Sequence, residues 1–270
     1  MRVGIIGLGL MGGSLALALR RARPDLELIG SDSNAATMRE AQRRDMVQEG
    51  DPRQARVVFL AAPIPALPEL LVGLAGHQGV VTDMASTKAQ VMGWAAAAGV
   101  DLVGGHPMGG RERSGIAAAD PDLFRGAPWV LTRDEPSVTE LVRAVGGGPV
   151  FMGAERHDRL VAGVSHAAFL VSAAYVLGLA GSGDWEEMRR VAGPGFRDLS
   201  RLAAGDTDLY SAIISTNRDP ILQRLTAVEA ALAKLRRHLE AGDMRLAELL
   251  EEARLARERW EKETGGASHD

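Results

Sequence analysis

Five glycines fall within residues 4–13, directly after the start of the chain, and no other feature restricts the fold as much. Residues 2–6 (Arg-Val-Gly-Ile-Ile) read as a short buried strand. Gly7-Leu8-Gly9-Leu10-Met11-Gly12 follows as GxGxxG, and a helix is expected to run on through residues 14–21. An acidic residue, Asp32, stands 20 positions past Gly12, at the end of a second predicted strand over residues 26–30. Strand, glycine turn, helix, strand and acid in this order are the fingerprint of a dinucleotide-binding βαβ unit. Gly7 permits the tight turn, Gly9 lets backbone approach a pyrophosphate, and Gly12 with Gly13 lets helix and strand pack closely. The same glycines interrupt the apolar run and exclude a signal peptide.

The period of the pattern extends this reading. Helix is expected over residues 35–44, strand over 56–62 stopped by Pro63, helix over 65–74 and strand over 80–83. A helix over 88–98 and strands over 101–104 and 128–131 follow. Such alternation predicts a parallel sheet covered on both faces, a Rossmann-type α/β domain. Gly146-Gly147-Gly148-Pro149 breaks the pattern, residues 150–152 form the last plausible strand, and everything beyond reads as helix. A boundary near residue 152 therefore divides a dinucleotide domain, 1–152, from an all-α domain, 153–270. Ile221, Leu225, Val228, Leu232, Leu235 and Leu239 form one apolar stripe. With the long apolar helix over 155–179, it has too little of its own domain to cover it, which predicts a two-fold homodimer through the helical halves.

Composition excludes several function classes. The net charge is −4, so nucleic-acid binding through a basic face is not expected. There is no cysteine, hence no disulfide, thiolate zinc site or cysteine nucleophile, and no metal is expected. Of 31 basic residues only Lys88, Lys234 and Lys262 are lysines, so a lysine base has few places to sit. No run of 18 or more purely apolar residues predicts a membrane span, and a cytoplasmic enzyme is the expectation.

The cofactor expected is NAD. Asp32 can accept hydrogen bonds from the adenosine ribose hydroxyls and repels a 2′-phosphate, and no arginine follows within the next few positions. Leu8, Leu10 and Met11 within the turn, and Ala62 and Pro63 at the end of a strand, complete the cofactor set together with Ser86. In an open parallel sheet ligands bind beyond the carboxyl ends of strands. Ser86 and His106 both follow strands and therefore face the same crevice. A neutral histidine there can take a proton near pH 7, and a serine hydroxyl can orient it, so activity should rise with pH through a histidine titration.

Several segments together resemble the prephenate/arogenate dehydrogenase family. They are the GxGxxGGS start, Ser86-Thr87-Lys88 after a strand, Gly104-x-His106-Pro107-Met108-x-Gly110, Ser165-His166, and Gly195-Phe196-Arg197-Asp198. They occur in the family's order from residue 2 to about residue 220. The resemblance implies NAD-dependent oxidative decarboxylation of prephenate to 4-hydroxyphenylpyruvate in tyrosine biosynthesis. It implies His106 as the base on the C4 hydroxyl, Ser86 as its partner, and Arg197 as the grip on a substrate carboxylate, in a loop-like Gly-Pro-Gly-Phe setting. His166, Glu112 and Tyr210 would line the substrate pocket.

The chain departs from the family pattern in three places. Phe169 replaces the second histidine of Ser-His-x-x-His, Arg111 precedes Glu112, and Tyr210 stands where relatives often carry tryptophan. Residue type alone leaves other readings open. His106 and His166 also suit a core, Arg197 also suits a surface pair with Asp198, and Glu112 also suits a loop. His157 reads as solvated or capping. Arogenate remains an alternative substrate. A 3-hydroxyacid dehydrogenase is disfavoured because residues 153–233 contain no lysine, and a non-catalytic NAD sensor would share the fold.

Overall fold

The computed structural model describes residues 1–109 and 114–263. Contacts divide the chain into a unit Met1–Ile221 and a second unit Leu222–Asp270. In the first unit, β1 (Arg2–Ile6), β2 (Glu27–Ser31), β3 (Gln48–Glu49), β4 (Val57–Leu60), β5 (Val80–Asp83) and β6 (Leu102–Val103) form one sheet. Their order is β3-β2-β1-β4-β5-β6, and every pairing is parallel. The helices α1 (Leu10–Ala22), α2 (Ala35–Arg43), α3 (Leu67–Val72) and α4 (Ala89–Ala97) are the crossovers that parallel strands require. The central strand β4 is buried along its whole length, as Val-Val-Phe-Leu covered on both faces should be. The strand order reverses direction between β1 and β4, and the crevice beyond their carboxyl ends is where such folds bind ligands.

The sheet stops sooner than the alternation suggests. After β6 the chain enters a separate three-stranded sheet of β7 (Gly105–Pro107), β8 (Pro128–Leu131) and β9 (Gly148–Phe151), joined to it by α5 (Pro136–Ala144). There β7 and β8 run antiparallel, with His106 opposite Val130. The side chain of Asp83, at the end of β5, accepts the Gly105 N–H at 3.0 Å, which holds the start of β7 against the first sheet.

Beyond β9 the first unit is helical: α6 (Ala154–Val161), a π-helical turn Ala162–His166, α7 (Ala167–Ala180), α8 (Trp185–Met188), α9 (Pro194–Ser200) and α10 (Thr207–Thr216). A π turn inserts an extra residue into the helix and re-aims the side chains on it. Here it falls on Ser165 and His166. Within Ala154–Ala180 an 18-residue window has a mean hydropathy of 1.9, so by length and composition this helix could cross a bilayer, which the sequence reading did not expect. Its first turns carry Glu155, Arg156, Asp158 and Arg159, and its partly buried faces pack on α4 and α9. The second unit contains α11 (Arg218–Ala241) from Leu222 onward and α12 (Arg245–Glu263). Gly242, at φ +62°, makes the turn between these helices, and Asp243 accepts the Arg245 N–H there. Leu222, Leu232 and Leu239 on α11 are exposed, as are Val164, Leu177 and Val191 in the first unit.

Candidate active site

The glycine turn joins β1 to α1. Gly7 has φ +92°, and a Cβ on it would lie 2.8 Å from the Ala61 carbonyl, so only glycine fits. A Cβ on Gly12 would lie 1.9 Å from the Gly7 oxygen. Gly9 is different: nothing lies within 4 Å of its Cβ position, and it begins α1 with no side chain capping the helix. The first-turn N–H groups of Leu10 and Met11 therefore face an open, electropositive helix end that fits a pyrophosphate. Asp32 sits beside it, half-buried. One carboxylate oxygen accepts the Leu8 N–H at 2.7 Å and the other the Asn34 N–H at 2.8 Å. Ala62 and Pro63 leave β4 on the same side, with Ala62 N 2.9 Å from the Cβ position of Gly7.

The second part of the site is a buried polar cluster. His106, on β7, is 9% exposed. Its Nδ1 lies 2.8 Å from Nε2 of His157, and His157 Nδ1 lies 2.8 Å from Oδ1 of Asp158. Both residues of α6 are buried. The expectation that His157 is solvated or capping is thus corrected: it lies on the inner face of the helix, between His106 and a carboxylate. Asp158 also accepts the N–H groups of Lys88 and Ala89, each at 2.8 Å, and so caps α4 from another helix. Lys88 is fully buried and paired with Asp83. Asn217, at the end of α10, donates to the Asp158 carbonyl at 2.9 Å and lies 3.1 Å from Nδ1 of His166. Ser86 is half-buried in the loop between β5 and α4. Its neighbour Thr87 shares a 2.8 Å hydrogen bond with Thr216.

The electrostatics of the cluster favour the neutral forms of His106 and His166. Burial, then repulsion from His157, Lys88 and His166, holds His106 well below the ordinary histidine pKa. This moves the expected rise of activity with pH below the usual histidine range. Burial lowers His166 to about 4, with Asp158 opposing and His157 assisting. Burial would raise Asp158, but hydrogen bonds from His157, Ala89 and Lys88 outweigh it and keep the carboxylate ionised. Because Asn217 donates to Nδ1 of His166, the His166 proton resides on Nε2. Among the described residues that atom is buried without a partner, which makes it a donor available to a ligand.

Arg197 lies apart from the cluster. It is in helix α9 and exposed, which corrects the loop-like setting expected for it: Pro194 sits in the helix's first turn, where proline is favoured. Arg197 lines an open cleft of about 460 Å³ with Gly193, Phe196, Ser200, Arg201 and Ala204. Arg201, which sequence reasoning missed, is one helical turn further on, and its charge reaches Tyr210. Tyr210 stacks on Phe169, ring centroids 3.5 Å apart at 9°. Two departures from the family pattern are therefore one contact. Glu112 and Arg111 lie outside the described residues.

Comparisons with known proteins agree along most of the chain. The family profile "Prephenate dehydrogenase, nucleotide-binding domain" matches residues 15–147, and "Prephenate dehydrogenase, dimerization domain" matches residues 153–252. The prephenate dehydrogenase of Bacillus subtilis is 31% identical over 260 residues, covering 88% of this chain and 70% of that protein. The chain spans about two thirds of the length of the Lactococcus lactis and Bacillus subtilis prephenate dehydrogenases it matches. Synechocystis arogenate dehydrogenase superposes with a TM-score of 0.84 at 30% identity, over 96% of this chain and 100% of that one. A prephenate dehydrogenase from A. aeolicus, in complex with hydroxyphenyl propionate and NAD+, gives 0.89 at 26% identity over 96% and 98%.

Proposed function

This chain belongs to the prephenate dehydrogenase family, and on that premise we propose that it carries out the NAD-dependent oxidative decarboxylation of prephenate to 4-hydroxyphenylpyruvate. The observation that carries the proposal is His106, which burial keeps from protonating, held in a buried hydrogen-bonded cluster at the carboxyl ends of the strands on the side of the glycine turn. Gly7, Leu8, Gly9, Leu10, Met11, Gly12, Asp32, Ala62, Pro63 and Ser86 would hold NAD, which would supply the hydride acceptor.

His106 takes the proton of the C4 hydroxyl, and Ser86 orients that hydroxyl. Loss of hydride from C4 makes the carbonyl. The ring carboxylate then leaves as CO2, its electron pair aromatises the ring, and the carbonyl oxygen regains a proton as the phenol. The buried, unpartnered Nε2–H of His166 offers a donor to the substrate. Prephenate is a dianion, and the cleft with Arg197 and Arg201 supplies two cations one turn apart, suited to a bidentate carboxylate grip. Tyr210 and Glu112 are assigned to the pocket wall.

Residues 1–152 are assigned to NAD binding and 153–270 to substrate binding and dimerisation. The exposed leucines of α11 support a homodimer, and the packed, charged start of α6 supports a cytoplasmic enzyme rather than a membrane one. Arogenate is the second reading. The Phe169–Tyr210 stack motivates it, because an aromatic pair that can face an ammonium group stands where the family pattern has a second histidine. NADH formation with prephenate and with arogenate, measured side by side, tests both. NAD binding without turnover of either would overturn the enzymatic assignment.

A further inference from the structure

His157 and Asp158 have no assigned part in the reaction, yet they are among the most enclosed polar residues, 0% and 2% exposed. Burying a histidine and a carboxylate is unfavourable unless every polar atom is satisfied. Here both nitrogens of His157 are satisfied, one by Asp158 and one by His106. We propose that Asp158 and His157 form a buried positioning relay that holds His106 in a single tautomer, with its proton on Nδ1 and its Nε2 lone pair free for the substrate hydroxyl.

The direction of the relay follows from which groups can donate. An ionised carboxylate only accepts, so Asp158 requires the proton of a neutral His157 to be on Nδ1. His157 Nε2 is then a lone pair and must accept, so the 2.8 Å contact is donated by His106 Nδ1–H. Left to itself a neutral imidazole divides between two tautomers, and the one with hydrogen on Nε2 cannot act as a base toward the crevice. Asp158 does a second thing. Its two oxygens take the Lys88 and Ala89 N–H groups that begin α4, immediately after Ser86-Thr87. One carboxylate therefore ties the Ser86 loop and the His106 ring to the same point on α6. The titratable groups around His106 are His157, Asp158 and His166 from the helix and Lys88 and Asp83 from the β5–α4 segment. Of these, His157 is the one in hydrogen-bond contact with it.

The inference rests on the reading of His106 as the base, and the test separates the two. Nitrogen-15 spectra of the histidine-labelled full chain should show His106 with a protonated Nδ1 and an unprotonated Nε2. His157→Leu removes the acceptor, so His106 should populate both tautomers, and kcat should fall about 10–100-fold with NAD affinity and KM little changed. His157→Gln offers an amide oxygen where Nε2 was, so it should keep the Nδ1–H tautomer and recover most of kcat. A wild-type His106 protonated on Nε2 overturns the relay, as does a His157→Gln variant as slow as His157→Leu. If His157→Leu does not fold, the spectra of wild type and His157→Gln decide alone. An active His106→Asn variant would instead remove the base assignment and leave the measured tautomer standing.

Discussion

The glycine turn and the histidine cluster both present polar atoms to one crevice, but they are assembled differently. The turn is local: Gly7 to Gly13 are contiguous, and their anchor, Asp32, bonds Leu8 only 24 residues away. Its geometry comes from missing side chains, and no titratable group has to be buried. The cluster joins residues 51, 59 and 70 apart, from two sheets and three helices, and buries three histidines, two aspartates and a lysine. A site made by subtraction tolerates change nearby. A site made by mutual satisfaction transmits it, because each buried partner left alone costs the desolvation of its neighbour.

The largest expected effect lies at the centre of the cluster. His106→Asn should lower kcat by about 10²–10⁴-fold while NAD binding, measured by fluorescence, stays near wild type. A loss in both would mean that the two regions are not separable. Next, Lys88→Met removes one half of a fully buried pair and leaves the Asp83 charge with only backbone donors. A loss of about 3–5 kcal/mol in denaturant unfolding is expected. An unchanged midpoint would show that the cluster does not depend on mutual satisfaction.

The third effect is a pH slope. His166 titrates at about 4 in the fold, against 6.5 ordinarily, chiefly through burial. Between those values the unfolded chain binds the extra proton, so stability is constant above the ordinary value and falls as pH drops toward 4. The total is about 3 kcal/mol. Unfolding midpoints across that range should show the slope in wild type and a shallower one in His166→Gln, where His106 still contributes.

Two smaller effects test the edges. Arg201→Ala should raise KM for prephenate more than it lowers kcat, by about 1.5–3 kcal/mol in kcat/KM. Arg197→Ala alongside it shows which cation of the cleft holds the carboxylate. Asp32→Ala should act on the turn alone, weakening NAD by about 1.5 kcal/mol and narrowing the preference over NADP without slowing chemistry. A fall in kcat there would join the two regions that the structure keeps apart.

Legibility followed the same divide. The turn, Asp32 and five of the six strands of the parallel sheet, all but the two-residue β3, were readable because glycine spacing and apolar period are local properties of the chain. His106 and Ser86 were readable as positions after strands, since a strand's carboxyl end has a known place in such a sheet. Lys88 carried a signal in its scarcity: it is one of three lysines and directly follows Ser86-Thr87. The switch to a second sheet after β6 was not readable, because β7 is three residues long and its partners lie more than 20 residues away. His157 and Asp158 gave no signal within a helix whose first two turns are mostly charged or polar.

By itself, the sequence determined a parallel nucleotide-binding sheet, the NAD cofactor and the family, and it named His106 as the candidate base. Those follow from backbone constraints and short motifs, which act over a few residues. The tertiary structure alone decided which histidine nitrogen faces inward, that Asp158 caps a helix other than its own, that Arg197 lies on an open helix with Arg201, and that Phe169 and Tyr210 are one contact. Each of these depends on burial, and burial is a property of residues far apart in the chain that fold against one another.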